Sequence, residues 1–204
     1  MLLNQKNIFP KRKKFDLPDA EVFLYENFFT PEESDRLYKS LTETIYWRQD
    51  RIKLYGKPMD LPRLTAWYGE PNRSYTYSGI SMQPHPWTGD LLYIKSKIEK
   101  EAGVKFTNCL LNLYRTGKDS VSWHQDNEKA LGREPVIGSV SFGATRPFQL
   151  KHISRKDLEK VDIPLTHGSF LLMKGPTQHY WKHRIPKTSR PLQPRINLTF
   201  RIIT

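Results

Sequence analysis

The sequence predicts a mainly β protein with flanking helices, in which antiparallel strands form a sandwich or an open barrel. Two observations predict this class. Helical periodicity is confined to two segments before residue 106, and the rest of the chain is a succession of short β-rich runs, most of them bounded by glycine or proline. We therefore expect one domain over residues 18–204, with helices and hairpins in residues 18–105 and the β core in residues 106–204.

The first half of the chain carries clear start and stop signals. The alternation in Glu21–Tyr25 predicts a strand. The run Thr30-Pro31-Glu32-Glu33 supplies an N-cap, a proline at the first helical position and a glutamate placed for a capping box. The helix that begins there ends before Tyr46-Trp47, and its apolar stripe consists of Leu37, Leu41 and Ile45.

The remaining elements follow in order. Residues 48–86 are dense in aromatic, basic and proline residues without a helical period, which predicts hairpins and loops. A second helix is predicted around Leu91–Ile98, and Gly103 suits its C-terminal cap. Six predicted strands complete the chain: Asn108–Arg115, Val136–Phe142, Phe148–Ile153, Ser169–Met173, Tyr180–Ile185 and Arg195–Ile203.

The composition bounds the class of protein. The chain has 204 residues, of which 37% are apolar and 26% charged, a balance that excludes both a disordered chain and a membrane-spanning one. Met1-Leu2-Leu3 is followed by polar residues rather than by the apolar segment of a secretion signal. The single cysteine, Cys109, cannot form an internal disulfide, which is typical of a reducing compartment. We expect an intracellular protein, cytoplasmic or nuclear, without a membrane partner.

The charge is strongly unbalanced. Thirty-three Lys and Arg against 21 Asp and Glu give a net charge of +12, which favours a polyanionic partner such as nucleic acid. The alternative is that the charge serves solubility alone, because exposed charge gives only weak, screened attraction. Residues 1–17 contain Lys11-Arg12-Lys13-Lys14 with few apolar neighbours, so we predict a flexible basic arm before the domain.

One short motif carries the first chemical signal. His124 and Asp126 are separated by one residue, so both side chains can face the same point on an extended or tightly turned segment. Two histidines and a carboxylate bind Fe(II) in non-haem oxygenases and leave positions open for a chelating cosubstrate and dioxygen. A later strand would have to supply the second histidine. The spacing alone also suits an ordinary hydrogen-bonded surface pair.

The last predicted strand carries the second signal. Alternation places Arg195, Asn197, Thr199 and Arg201 on one face. Two arginines in a mainly apolar strand are costly unless each meets an anion, and a dicarboxylate would match the planar guanidinium groups. The alternative is an edge strand whose arginines point into water.

Taken with these motifs, the chain from about Leu61 to the C-terminus resembles the AlkB family of Fe(II)- and 2-oxoglutarate-dependent dioxygenases, in particular the branch that includes the vertebrate DNA dealkylases. The motifs that carry the resemblance are Asn112-x-Tyr114, Gly117-x-Asp119, His124-x-Asp126-x-Glu128, Ser139-x-Ser141-Phe142-Gly143-Ala144, His183 and Arg195-x-Asn197-Leu198-Thr199-Phe200-Arg201. The resemblance implies a double-stranded β-helix, or jelly roll, that uses Fe(II), 2-oxoglutarate and O2.

The resemblance also assigns the site residues. It implies that His124, Asp126 and His183 bind the iron and are catalytic, with His179 as the competing candidate for the third ligand. The residues that it assigns to 2-oxoglutarate are Asn112, Tyr114 and Arg195 at the far carboxylate, Arg201 nearer the metal, and Asn197 in the same pocket. The other histidines, His85, His152 and His167, are interpreted as structural or exposed.

The implied reaction is oxidative demethylation of 1-methyladenine and 3-methylcytosine in DNA, or in RNA, with release of formaldehyde, succinate and CO2. The base must be flipped out or single-stranded to reach the metal, and it needs stacking surfaces. The residues assigned to the substrate are Tyr75, Tyr77 and Ser78 in a nucleotide-recognition hairpin, Glu128 beside a cationic base, and Tyr55 as a finger that fills the vacated stack.

Each of these substrate assignments has a simpler alternative. A tyrosine at a hairpin tip, as at position 55, is often merely exposed, and Tyr75 and Tyr77 suit ordinary cross-strand packing. Arg63 is a candidate for phosphate contact, and so are Lys57, Lys118, Arg133 and the region of Lys151, unless each is one more solvated charge. Asn127 stands where close relatives often carry a second acid, which leaves the substrate preference open.

Two further functions remain possible from the sequence. A protein or small-molecule hydroxylase would use the same fold and ligands without the aromatic hairpins and the basic surface. A non-catalytic nucleic-acid binding module would keep the charge and the aromatics, but it should have lost a metal ligand. We expect an active enzyme that is a monomer and whose partner is alkylated DNA or RNA.

Overall fold

Two antiparallel sheets form the body of the computed structural model, which describes residues 11–54, 57–71, 75–77 and 80–203. In chain order the strands are β1 (Arg12–Phe15), β2 (Glu21–Tyr25), β3 (Arg51–Leu54), β4 (Lys57–Asp60), β5 (Leu64–Gly69), β6 (Tyr75–Tyr77), β7 (Ile80–Met82), β8 (Asn108–Tyr114), β9 (Val121–His124), β10 (Ile137–Gly143), β11 (Arg146–His152), β12 (Val161–Leu165), β13 (Ser169–Lys174), β14 (Trp181–Ile185) and β15 (Arg195–Arg201). The helices are α1 (Pro31–Thr44), α2 (Gly89–Ala102) and α3 (Thr177–Tyr180), with a 3-10 turn at Lys129–Leu131.

The strand order shows the predicted double-stranded β-helix. The larger sheet runs β1-β2-β13-β10-β15-β8-β5, and the smaller sheet runs β12-β11-β14-β9. Of the eight strands from β8 to β15, four lie side by side in each sheet, as in a jelly roll of eight strands. The hairpins β3–β4 and β6–β7 stand outside both sheets, in the region where hairpins were predicted. The predicted fold class is confirmed.

The helices cover one face of the larger sheet. Thr30 caps α1 by accepting a hydrogen bond from the Glu33 amide, and the Glu33 carboxylate accepts one from Thr30 N, which completes the predicted capping box. The second helix ends at Gly103, whose positive φ of 72° is readily adopted by glycine. The apolar faces of both helices pack with the outer face of the sheet, including Phe142 and Phe200. Within the described residues, no helix is long and apolar enough to cross a membrane.

The alternation of β15 separates two environments. Ile196, Leu198 and Phe200 belong to the apolar core shared with the helices. The polar residues of the opposite face, Arg195, Asn197, Thr199 and Arg201, line a cavity between the two sheets. The strand has buried neighbours on both sides, β10 and β8, so the alternative of an edge strand with solvated arginines is wrong.

The prediction of a flexible arm over residues 1–17 is wrong for residues 12–15, which form β1 and pair with β2. Two contacts compensate for the polar sequence of this strand. Phe15 packs against the core between the sheets, and the guanidinium of Arg12 lies 4.4 Å from the centroid of the Phe23 ring. Residues 1–10 lie outside the described residues.

Candidate metal centre

Three potential metal ligands converge between the sheets. His124 ends β9, Asp126 lies two residues beyond it, and His183 lies on β14. The two histidines are direct partners in the β9–β14 ladder, and their ring centroids are 4.2 Å apart. One ligand atom from each of the three residues lies within 4.8 Å of the other two, so the three side chains are close enough to share one ion.

The carboxylate of this group is held in its ionised form. Asp126 is only 1% exposed, and Arg201 Nη2 lies 2.9 and 3.0 Å from its two oxygens. Burial alone would raise the pKa of Asp126, but the charge of Arg201, together with the histidines, outweighs it and lowers the pKa to about 2. At neutral pH this side chain is therefore an anionic ligand.

Each of the two histidines can present a ring nitrogen atom to a metal. Burial and the neighbouring His124 lower the pKa of His183 to about 3, so its imidazole is uncharged at neutral pH. His124 Nδ1 lies 2.9 Å from the carbonyl oxygen of Ser122 and must donate to it, because a carbonyl can only accept. That hydrogen bond leaves Nε2 of His124 available to a metal.

A buried arginine marks the other end of the cavity. Arg195 is 1% exposed, its Nη2 donates to Ser141 Oγ at 2.9 Å, and its guanidinium lies 5.2 Å from the centroid of the Tyr114 ring. No acceptor among the described residues completes hydrogen bonds of its buried Nε and Nη1. Burial lowers the pKa of Arg195 to about 10, which keeps the group cationic at neutral pH. A carboxylate could accept a hydrogen bond from such a buried donor.

The remaining cavity residues form an ordered polar wall. Tyr114 is the cross-strand partner of Arg195, and Asn112 is the partner of Asn197. Asn197 donates from Nδ2 to Ser139 Oγ at 2.8 Å and to the Val140 carbonyl at 3.0 Å. The structure thus brings all five residues assigned to 2-oxoglutarate, Asn112, Tyr114, Arg195, Asn197 and Arg201, into one cavity with the three potential ligands.

Comparison with known protein families agrees with this arrangement. The family model described as "2OG-Fe(II) oxygenase superfamily" matches residues 21–201. The chain belongs to this superfamily. Its curated relatives place it in the AlkB branch: it is 44% identical over 192 residues to alpha-ketoglutarate-dependent dioxygenase alkB homolog 3 of Bos taurus, and 36% identical over 189 residues to DNA oxidative demethylase ALKBH2 of the same species.

The extent of these matches is large but not complete. The first match covers 90% of this chain and 66% of the relative, and the second covers 88% and 68%. The chain thus spans about two thirds of the length of these relatives. Among solved structures, the one titled "The structure of OsALKBH1" superposes with a TM-score of 0.62 at 18% identity, covering 94% of this chain and 100% of that one. A prolyl hydroxylase from Trichoplax adhaerens superposes with a TM-score of 0.61 at 13% identity, covering 89% of this chain and 83% of that one. Both show the shared fold.

The metal and cosubstrate of the superfamily fit the residues that are present. Two histidines and one carboxylate are the donor set that Fe(II) takes in such oxygenases. The two unpartnered donors of Arg195 match the far carboxylate of 2-oxoglutarate. Arg201 contacts Asp126 directly, so its position near the metal end of the AlkB pocket agrees with the expectation.

One predicted residue has a different environment from that expected, and the competing candidate for the third ligand lies outside the site. Arg63 was predicted to contact backbone phosphate, but it is only 3% exposed, and it donates to Asn112 Oδ1 at 2.7 Å and to the Ser120 carbonyl at 3.3 Å. It is therefore part of the wall behind the cavity. His179 lies on α3, where its Nε2 contacts the carbonyl of Arg133, and it is absent from the convergent ligand group.

A second cleft leads to His124 from the outside. It is lined by the hairpin β3–β4 and by β9, including Met59, Trp123 and Lys187. Sequence reasoning did not single out these three residues. Met59 is 44% exposed although it is apolar, and such exposure at the entrance to a site is a signal that only the structure provides.

The structure describes the predicted substrate residues only in part. Tyr55 and Ser78 lie outside the described residues, and Tyr75 and Tyr77 are described only as backbone of β6. Glu128 precedes the 3-10 turn, and its Oε2 is buried without a hydrogen-bond partner in the described part of the chain. The predicted phosphate-contact residues other than Arg63 are all exposed: Lys57, Lys118, Arg133 and Lys151.

Proposed function

We propose that the protein is an Fe(II)- and 2-oxoglutarate-dependent dioxygenase that demethylates 1-methyladenine and 3-methylcytosine in DNA, or in RNA, and releases formaldehyde, succinate and CO2. The observation that carries the proposal is the cavity in which His124, Asp126 and His183 face Arg195, with an outer cleft that reaches His124. The names of the curated relatives, alpha-ketoglutarate-dependent dioxygenase and DNA oxidative demethylase, support the same reaction.

Some residues of this chain bind the cosubstrate, and others orient the metal ligands. When bound, Fe(II) supplies the redox chemistry that activates dioxygen. Arg195 binds the far carboxylate of 2-oxoglutarate beside Tyr114, and the buried Arg201 keeps Asp126 ionised and oriented. The apolar lining supplied by Phe148 and Ile185 limits the access of water to the reacting groups.

Glu128 supports an N-methylated base as substrate. A buried carboxylate oxygen without a donor is costly, so a ligand that supplies an N–H group would relieve that cost. The exocyclic amino groups of 1-methyladenine and 3-methylcytosine are such donors, and these bases carry a positive charge that a carboxylate favours. Lys187, which is exposed and lines the outer cleft, suits the phosphate backbone of a nucleic acid, and so does the exposed Lys57 of β4.

The test is release of formaldehyde and succinate by the purified chain with Fe(II) and 2-oxoglutarate, using 1-methyladenine in single- and double-stranded oligonucleotides. We expect demethylation by the native chain and none by His183→Ala. Turnover of 2-oxoglutarate without demethylation of either oligonucleotide would contradict the nucleic-acid assignment and favour a hydroxylase of another substrate. The ratio between the two oligonucleotides reports the strand preference.

A further inference from the structure

The metal ligands lie on two separate segments that meet through a pair of glutamines. Gln178 is fully buried on α3, and its Oε1 accepts a hydrogen bond from the backbone amide of Asp126 at 3.0 Å. In the opposite direction, Gln125 Nε2 donates to the carbonyls of Gln178 at 2.8 Å and His179 at 3.2 Å. Each segment thus contributes one side chain that binds the backbone of the other.

The location of this contact matters because the strand ladder does not reach Asp126. His124 is the last residue of β9 and pairs with His183, whereas Asp126 lies in the irregular segment after the strand. The ladder therefore aligns the two histidines but leaves the main chain of the carboxylate ligand without a cross-strand partner. The hydrogen bond that Gln178 Oε1 accepts from the Asp126 amide restrains this part of the main chain.

The other side of α3 is fixed to the body of the protein. Thr177, which is also fully buried, donates from Oγ1 to the Lys174 carbonyl at 2.6 Å and accepts from the Glu21 amide at 2.9 Å. Gln178 Nε2 additionally lies 3.6 Å from Met173 Sδ. A restraint on Asp126 that starts from α3 is consequently anchored to β2 and β13, outside the metal site.

We propose that Gln125 and Gln178 form a clamp of positioning residues that sets the distance between Asp126 and the two histidines before a metal binds. Hydrogen-bond partners behind metal ligands fix the orientation of those ligands, and their loss weakens metal binding. The clamp acts through the backbone of the Asp126 segment, whereas Arg201 acts on the carboxylate itself.

The test measures metal binding by the EDTA-treated full chain, with Co²⁺ as the probe and its visible absorption bands as the report of coordination geometry. For Gln178→Met, which keeps the length of the side chain but removes the acceptor, we expect Co²⁺ affinity to fall on the order of 10–100-fold, with altered absorption bands. Gln125→Met should weaken binding in the same direction and, because this side chain is partly exposed, should fold even if Gln178→Met does not.

Gln149→Met is the matched control. Gln149 is a buried glutamine on β11 that donates to Asp162 and accepts from Arg184, and neither hydrogen bond involves a metal ligand. We expect this variant to lower the unfolding midpoint while Co²⁺ affinity stays within about twofold of the native value. Equal loss of affinity in Gln149→Met and Gln178→Met would overturn the proposal, since it would make the loss a general effect of lower stability.

The double variant tests whether the two glutamines act as a unit. If both belong to one clamp, Gln125→Met together with Gln178→Met should weaken Co²⁺ binding little more than the stronger single substitution. Fully additive losses, or native affinity in either folded single variant, would contradict the clamp. The inference rests on the metal site of the proposed function but not on its substrate. Failure to demethylate an oligonucleotide would therefore leave the Co²⁺ titration unaffected. Absence of Co²⁺ binding by the native chain would overturn both the clamp and the proposed function.

Discussion

At the scale of single residues, the contacts of Arg195 imply a specific loss on substitution. Its planar guanidinium keeps buried donors without a protein partner, and lysine cannot reproduce the planar arrangement of those donors. For Arg195→Lys we expect the KM for 2-oxoglutarate to rise roughly 10–100-fold, as the loss of a charge-assisted hydrogen bond implies, with a smaller change in kcat at saturation. Steady-state succinate release would measure both constants.

Arg155→Lys is the control for this measurement, because Arg155 is exposed and pairs with Asp157 at the surface. It should leave both constants unchanged. An unchanged KM for 2-oxoglutarate in Arg195→Lys would contradict the assignment of this residue to the far carboxylate.

A second residue-scale prediction concerns acid stability. Asp119 is buried and accepts hydrogen bonds from Arg115 at its main-chain N, Nε and Nη2. Burial alone would raise the pKa of Asp119, but the hydrogen bonds and charge of Arg115 outweigh it, so the pKa is lowered. The pKa of Asp119 is lower in the folded protein than in the unfolded chain, where it is about 3.9. The stabilisation is therefore complete when the pH is above the unfolded-state pKa, and it is lost as the pH falls through the folded-state pKa.

The comparison of native protein with Asp119→Asn isolates this contribution. Urea unfolding should show the full stability difference near pH 5 and a shrinking difference below about pH 4. A difference that stays constant down to acid pH would show that the ionised carboxylate is not the source of the stabilisation.

At the scale of elements, the capping box of α1 is the clearest local signal in the sequence. Thr30→Ala removes the acceptor of the Glu33 amide, so we expect the free energy of unfolding to fall by about 1 kcal/mol. Thr42→Ala, in the last turn of the same helix, removes only a hydrogen bond to the Tyr38 carbonyl and adds a stronger helix former. Chemical denaturation should show a larger loss of unfolding free energy for Thr30→Ala than for Thr42→Ala. Equal losses in the two variants would contradict the role of the cap.

The six strands predicted between Asn108 and Ile203 were found with boundaries within two residues, because most of them are bounded by glycine or proline. Four strands of the sheets, β1, β5, β9 and β12, were not predicted, and for three of them the physical reason is clear. The sequence of β1 is basic, and its pairing depends on the free edge of β2. The strand β12 contains Pro164, which is tolerated because β12 is the edge of the smaller sheet. Almost all of β5 is buried, so it shows no alternation.

The same distinction applies to the candidate site. His124, Asp126 and the polar face of β15 follow from short spacings and from strand alternation, which are local in the sequence, whereas His183 was assigned by the resemblance to the AlkB family. Gln178 and Arg63 were not predicted in their observed roles, because each acts through a contact with a distant segment: Gln178 with Asp126, and Arg63 with Asn112. No local pattern marks a buried glutamine as a partner of a ligand 52 positions away.

At the scale of the whole molecule, the net charge of +12 bears on the proposed nucleic-acid substrate. If several exposed lysines contact phosphates, the logarithm of oligonucleotide affinity should fall linearly with the logarithm of salt concentration, with a slope of about −0.7 per contact for a single strand. Fluorescence anisotropy of a labelled oligonucleotide would measure the slope. Binding of a single methylated nucleoside should be almost independent of salt, and a flat response for the oligonucleotide would contradict a phosphate-contacting surface.

The position of β15 has a consequence for how the chain folds. This strand lies between β10 and β8 in the larger sheet, although both are made earlier in the chain. Until residues 195–201 emerge during synthesis, β8 and β10 have open edges facing each other, and such edges invite pairing with other chains. Since β15 also carries Arg195 and Arg201, the same strand closes the sheet and completes the anion-binding cavity. A nascent chain therefore cannot form the cavity before the sheet is closed.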